Sequence, residues 1–301
     1  MKKIYLTTLG LLVVAGSLFT TQVYANVADD LTNNYNNIVE NCGSGGRPAF
    51  LCSGVMIRAT KYSVNYNAWD PSPRSIKQGG VSFSYIRKDA KLTQMILGYN
   101  SGIIFYPSSL RPDTKQRAES LCAFPIDGAT DGRSGIGGCE AHFSYPTNSQ
   151  NCQSQGIYNA NTWYANYISI PLVDVNRRTH QCGFNVSIGT PDSSAIFMES
   201  LKAQQKIFGS QLATENNEIV VKTWETDANG KTVAPETLPI QSFFYTDSAG
   251  LVSAKNYQKD YYLLTKIIVP IVKVTFPRNN SEDVKFSYLD QDQNKVTCTI
   301  D

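Results

Sequence analysis

The chain has 301 residues, 42 % of them hydrophobic and 17 % charged, with 27 Lys+Arg against 25 Asp+Glu. That is enough apolar chain to bury a large core, in one large domain or two small ones. Lys2 and Lys3 lie in a segment that reads as removable; without them 25 basic residues face 25 acidic ones, so a net charge of zero gives no case for nucleic acid or an anionic membrane as partner.

That segment is residues 1–25. Lys2 and Lys3 precede a short apolar run, Leu9 to Phe19, and Val23-Tyr24-Ala25 satisfies the small-residue rule for cleavage. The run is short of the about 20 residues needed to cross a bilayer, and no other stretch reads as a span. The expectation is a signal peptide over 1–25, one secreted or periplasmic α+β domain over 26–301, and disulfides as the default state of its cysteines. Cys42 and Cys52 bracket one loop and Cys139 and Cys152 another, which favours local pairs and leaves Cys122 for Cys182, with Cys298 over. Spacing does not settle connectivity. No CxxC pair exists and there are only two histidines, so no metal site is expected.

In chain order, residues 28–40 read as a helix with Leu31, Tyr35, Ile38 and Val39 on one face. Ser53 to Ala59 reads as a strand, with Val55, Ile57 and Ala59 facing one way and Met56 and Arg58 the other. After a Pro-rich loop, Val81 to Ile86 alternates Val81, Phe83 and Tyr85 against Ser82 and Ser84. Short helices are expected over 88–97 and 112–120, a strand over 102–106, and a long cysteine-held loop over 125–156. Helices follow over 159–168, with Trp163, Tyr164 and Tyr167, and over 193–207, with Ile196, Phe197, Leu201 and Ile207. Strands are expected at 218–225, 240–245, 267–276, 284–288 and 295–300, with a helix over 250–264. The irregular alternation predicts an α+β fold: a mixed, mainly antiparallel sheet with flanking helices and disulfide-stapled loops.

The order of polar residues points to a chemistry. Cleaving nicotinamide from the ribose of NAD needs no acid, because the leaving group departs neutral. It needs a carboxylate for the oxocarbenium-like sugar and its hydroxyls, and a cation for the dinucleotide. Arg58 fits the cation, Ser82 and Ser84 the small hydroxyls, and Gly80 a close backbone approach. Glu218, at the head of Ile219-Val220-Val221, is the best carboxylate, with Trp224 on its face; Glu225 and Glu199 are weaker. The bland readings are a surface arginine, a solvent-facing serine edge and a solvated glutamate. A second polar set, Asp127, Arg133 and His180, would suit a His–Asp base if Cys122 and Cys182 pair, but no GxSxG elbow supplies a nucleophile. No phosphate loop or dinucleotide fingerprint is present, so NAD is expected as substrate and not as a tightly bound cofactor. The competing class is a non-enzymatic secreted binding protein, with the Tyr-rich helix around Trp163 and the 125–156 loop as its contact surfaces.

The motifs AFLCSGVMIRAT, WDPSP, GGVSFSYIRKDA, LCAFPIDGAT, CQSQGI, QCGF, and QKDYY followed by IIVPIVKVTF resemble the halovibrin family of secreted bacterial proteins over most of the mature chain. The resemblance implies an ADP-ribosyltransferase-like enzyme that consumes NAD, as a glycohydrolase or as a mono-ADP-ribosyltransferase with a host protein acceptor. The wider transferase pattern is an arginine on a first strand, a Ser-Thr-Ser strand, and a glutamate with Glu or Gln two positions before it. The matching positions are Arg58, Ser82 with Ser84, and Glu218. Phe83 replaces the middle Thr, and Asn216 replaces the Glu or Gln that orients an acceptor. Those departures favour water as acceptor. Ser84 and Glu218 lie 134 positions apart, so a stapled insertion must separate them.

Overall fold

The computed structural model describes residues 19–43, 47–63, 67, 69, 80–106, 119–127, 151–169, 182–186, 191–207, 216–223, 225–226, 232–233 and 238–288. In chain order these form α1 Phe19–Asn36, a hairpin of β1 Asn41–Cys42 and β2 Arg47–Pro48, then β3 Val55–Ala59, β4 Val81–Ile86, β5 Ser101–Phe105 and β6 Glu119–Phe124. There follow α2 Ala160–Ser169, β7 Phe184–Asn185, α3 Pro191–Ile207 and β8 Glu218–Lys222. A second hairpin, β9 Glu225–Thr226 with β10 Thr232–Val233, leads to β11 Ile240–Tyr245, α4 Ser248–Thr265, β12 Ile271–Thr275 and β13 Lys285–Tyr288.

Nine strands form one sheet in the order β13-β12-β11-β5-β3-β4-β8-β6-β7. All neighbours are antiparallel except β11 and β12, so the fold is α+β with a mixed, mostly antiparallel sheet. The one parallel pair needs a crossover, and α4 supplies it. Asp247 caps α4 by accepting the Gly250 N–H at 2.8 Å, and Lys266 ends it in the left-handed region at φ 60°.

Both faces of the sheet are covered. One face carries Met56, Val81, Phe83, Tyr85, Ile219, Val221 and Phe243, packed against Trp163 and Tyr167 of α2, Phe197 and Leu201 of α3, and Tyr257 and Tyr261 of α4. The other carries Val55, Ile57, Ile86, Ile104, Phe244, Val272 and Val274 under Val27, Ala28, Leu31 and Tyr35 of α1. Farther along that second face, Cys122, Phe124 and Val220 form a separate small cluster. The polar residues of the candidate site lie between these two clusters.

Several expectations shift. The first helix ends at Asn36, and Ile38 is exposed, not on the buried face with Leu31 and Tyr35. The Asn-rich run 33–37 is poor in helix formers, and the Asn34 carbonyl turns to accept the Gly54 N–H at 2.7 Å. Residues 88–95 are not a helix: Arg87 bridges Ala90 in a tight turn, and only Ile96–Gly98 makes a short 3-10 turn. Glu119 and Ser120 belong to β6, not to a helix over 112–120. β8 ends at Lys222 and β12 begins at Ile271, after Pro270, which cannot donate to the ladder. Residues 1–18 of the signal peptide expected over 1–25, residues 128–150 of the loop expected over 125–156, and the strand expected over 295–300 lie outside the described residues.

Cys42 pairs with Cys52, and Cys152 pairs with Cys182. The second pair replaces the expected Cys139–Cys152 and Cys122–Cys182 connectivity. Asn151 bridges Gly183 in parallel and the Cys152 N–H donates to the Gly183 carbonyl at 2.9 Å, which sets those two cysteines side by side. Cys122 is disulfide-bonded as well; Cys139 and Cys298 lie outside the described residues. No described helix is long and apolar enough to cross a membrane.

Candidate active site

Three consecutive side chains at the head of β8 all grip β4. Strand pairing sets this up: Val81 faces Val221, Ser82 faces Val220 and Phe83 faces Ile219. Alternation then places Ser82, Ser84, Val220 and Glu218 on one face, away from the helices α2 to α4. Ser82 Oγ donates to Glu218 Oε1 at 2.5 Å. Ser84 Oγ donates to Asn216 Oδ1 at 3.3 Å. Asn217 accepts the Tyr85 N–H on Oδ1 and donates to the Tyr85 carbonyl from Nδ2, both at 2.7 Å. The Asn217 amide thus continues the ladder where the backbone pairing stops. Gly80 helps bring the strands together, because a Cβ there would meet Val220 Cγ1.

Glu218 is 3 % exposed and Asn216 and Ser84 are also buried, whereas Ser82 is exposed. The carboxylate therefore sits just beneath a serine that solvent can reach. Burying a carboxylate is costly unless hydrogen bonds compensate it, and Ser82 supplies one of them. Ser84 is not on the open solvent face of a half-buried strand, as the bland reading expects; its hydroxyl is used internally.

Arg58 joins the group by a different route from the one its strand phase implies. Met56 faces Tyr85 and Ile57 faces Ser84, so the Arg58 Cβ emerges on the side of Met56 and Phe83, opposite the serines. The guanidinium meets the serine strand in the plane of the sheet: Nη1 donates to the Ser82 carbonyl at 3.1 Å. Arg58 is half-buried. Gly102 of β5 lies against it, and a Cβ at Gly102 would collide with the Arg58 carbonyl.

The structure thus brings Ser82, Ser84, Asn216 and Glu218 together on one face of β4 and β8, while Arg58 reaches the Ser82 carbonyl from the opposite face of β3. Asp127 belongs to the same neighbourhood: it is buried, and its N–H donates to the Asn216 carbonyl. Its expected partner His180, with Arg133, Trp224 and the side chain of Glu225, lies outside the described residues. The disulfide that was to draw His180 toward Asp127 is not formed, since Cys182 bonds Cys152. Among the described residues no group of three or more His, Cys, Asp or Glu could hold a metal ion.

Two features escaped the sequence reading. Asn217 is one; its signal was the doubled amide before Glu218 at a strand start. The other is Arg87, 1 % exposed, whose Nε and Nη2 meet Asp89 at 2.6 and 2.9 Å and whose Nη1 donates to the Val39 carbonyl at 2.7 Å. Arg87 Nη1 also reaches Ser53 Oγ at 3.3 Å, while the Tyr85 hydroxyl donates to the Ser53 carbonyl at 3.0 Å. Burial pushes the Tyr85 phenol up to about 12. This network holds the far end of β4. In the aromatic helix expected as a contact surface, Trp163 and Tyr167 are buried and stack at 5.5 Å, while Tyr164 is half-buried.

Comparison with protein-family models, with curated proteins and with solved structures found no match to this chain.

Proposed function

We propose that the protein is a secreted NAD glycohydrolase, cleaving the nicotinamide–ribose bond with water as acceptor. The observation that carries this reading is the buried Glu218 carboxylate held by the Ser82 hydroxyl, with Arg58 anchored on the same serine's carbonyl. In the proposed reaction the bond from the ribose C1′ to nicotinamide breaks, and its electron pair leaves with neutral nicotinamide. Glu218 faces the cationic sugar and accepts from its hydroxyls. Arg58 supplies positive charge for the pyrophosphate. A water oxygen then bonds C1′ and gives up its proton, so NAD and water become ADP-ribose, nicotinamide and a proton.

Water is favoured over a protein acceptor by Asn216. The transferase pattern has a Glu or Gln at that position reaching out to an acceptor; here the shorter Asn216 is buried and accepts from Ser84. The resemblance to the halovibrin family supports the same chemistry. The alternative of a non-enzymatic binding protein loses Trp163 and Tyr167 as contact residues, because both are in the core.

The test is incubation of the purified, disulfide-intact protein with NAD while free nicotinamide is followed by chromatography. Turnover is expected, and Glu218→Gln should cut it by about a hundredfold or more with an unchanged melting temperature. Absence of nicotinamide release from the wild-type protein would overturn the assignment. Appearance of ADP-ribose on an added protein, in place of free ADP-ribose, would shift it to a transferase.

A further inference from the structure

We propose that the C-terminal end of α4 is a docking surface for an anionic lipid bilayer. Leu263, Leu264, Ile267 and Ile268 are 57, 66, 41 and 40 % exposed. These are four large aliphatic side chains within six residues, all facing water. The other exposed large apolar residues among those described, Ile38, Leu97, Tyr158, Ile168 and Val252, are not clustered in this way. Single exposed apolar residues are ordinary, whereas a contiguous patch marks an interaction site.

The helix does not need these residues for its own packing. Ala254, Tyr257 and Tyr261 form its inward stripe and are buried against the sheet. Leu263 continues the outward stripe of Val252, Lys255 and Lys259, at spacings of three and four residues. Lys266 then leaves the helix at φ 60°, and Thr265 Oγ1 accepts the Ile267 N–H at 3.1 Å, which ties the next residues back against the last turn. Ile267 and Ile268 are thereby kept at the helix end beside Leu263 and Leu264.

Charge selects the occupant. Lys255, Lys259 and Lys266 are all exposed around the apolar cluster. The single acid from Ser248 to Ile268 is Asp260, which is half-buried and accepts the Tyr62 hydroxyl at 2.9 Å. Lys266 Nζ also lies 5.7 Å from the centre of the Tyr262 ring, so an aromatic with a polar tip adjoins the lysine that ends the helix. Aliphatic residues beside exposed lysines and a tyrosine are what an anionic bilayer interface takes: the alkyl groups enter the headgroup boundary and the ammonium groups meet lipid phosphates. The zero net charge of the mature chain does not bear on this, because attraction to a surface depends on charges within about a Debye length, roughly 10 Å at 0.1 M salt.

The experiment is sedimentation of the purified protein with vesicles of phosphatidylcholine alone and of phosphatidylcholine mixed with phosphatidylglycerol. The protein should pellet with the mixed vesicles, less so as salt rises, and not with phosphatidylcholine alone. The double variant Leu264→Glu, Ile268→Glu should lose about tenfold or more in partitioning. The variant Lys255→Gln, Lys259→Gln should lose several-fold on mixed vesicles; these exposed sites leave the core intact if the apolar variant folds poorly. No pelleting with mixed vesicles, or pelleting that neither variant reduces, overturns the proposal. So does a wild-type dimer that Leu264→Glu dissolves, since the patch would then belong to a second copy of the chain.

Discussion

Among the described residues Arg87 is the largest charged side chain taken out of water, and Asp89 makes that tolerable. The bidentate fork to Asp89 and the Val39 carbonyl satisfy three of its donors. At Asp89, burial pushes the carboxyl up, but hydrogen bonding and charge from Arg87, with help from Lys202, outweigh it and hold it below the usual carboxylate range. A carboxyl depressed in the folded state contributes stability above its unfolded pKa, about 3.9, and loses it as pH falls through the folded value. Denaturation by urea should therefore show a midpoint that declines below about pH 4. Asp89→Asn leaves the Arg87 charge buried without its partner, and should cost about 3 kcal/mol near neutral pH. That cost should shrink in acid, where the wild type loses the same pairing. A variant with the full acid limb of the wild type would show that Asp89 is not its source.

At the scale of elements, the clasp of β8 on β4 depends on side chains continuing a backbone ladder. Asn217→Ala would leave the buried Tyr85 N–H and carbonyl unpaired while Asn216 and Glu218 kept their own partners. The expected loss is about 2–4 kcal/mol, read by urea unfolding, with faster hydrogen exchange at the Tyr85 amide as its local signature. Exchange at Tyr85 that does not change would mean the β4–β8 pairing holds without the amide. The strands themselves were legible: Val81 to Ile86 and Ile240 to Tyr245 are read residue for residue, because alternation or an apolar run was bounded by turn residues. The pairing of Glu218 with Ser82 was legible as a coincidence of phase on two strands. The geometry of Arg58 was not, because phase predicts the face of a Cβ while the long side chain reached a carbonyl in the sheet plane. The helix expected over 88–97 failed because the Arg87 fork to Asp89 and the bridge to Ala90 made a turn of a segment whose composition suited a helix.

For the whole molecule, strand order and cysteine pairing are long-range facts that local pattern does not encode. Cysteines flanking a loop invite a local pair, and that reasoning succeeds for Cys42 and Cys52, 10 positions apart. It fails for Cys152, because the bridge of Asn151 to Gly183 brings Cys182, 30 positions away, to a Cα–Cα distance of 4.9 Å. Both cysteines are completely buried, and their bond ties the approach to α2 to the edge of the sheet at β7. In the chain-entropy account a longer closed loop constrains the unfolded state more, giving about 3.6 kcal/mol for this bridge against roughly 2.7 kcal/mol for Cys42–Cys52. Replacing Cys152 and Cys182 by Ala should exceed even that difference, because it also removes two sulfur atoms from the core, whereas Cys52 is half-buried. Urea unfolding of the two paired variants should therefore rank Cys152→Ala, Cys182→Ala as the less stable. The reverse ranking would mean that the bridge at Gly183 and the packing of Trp163 hold α2 on the sheet without the disulfide.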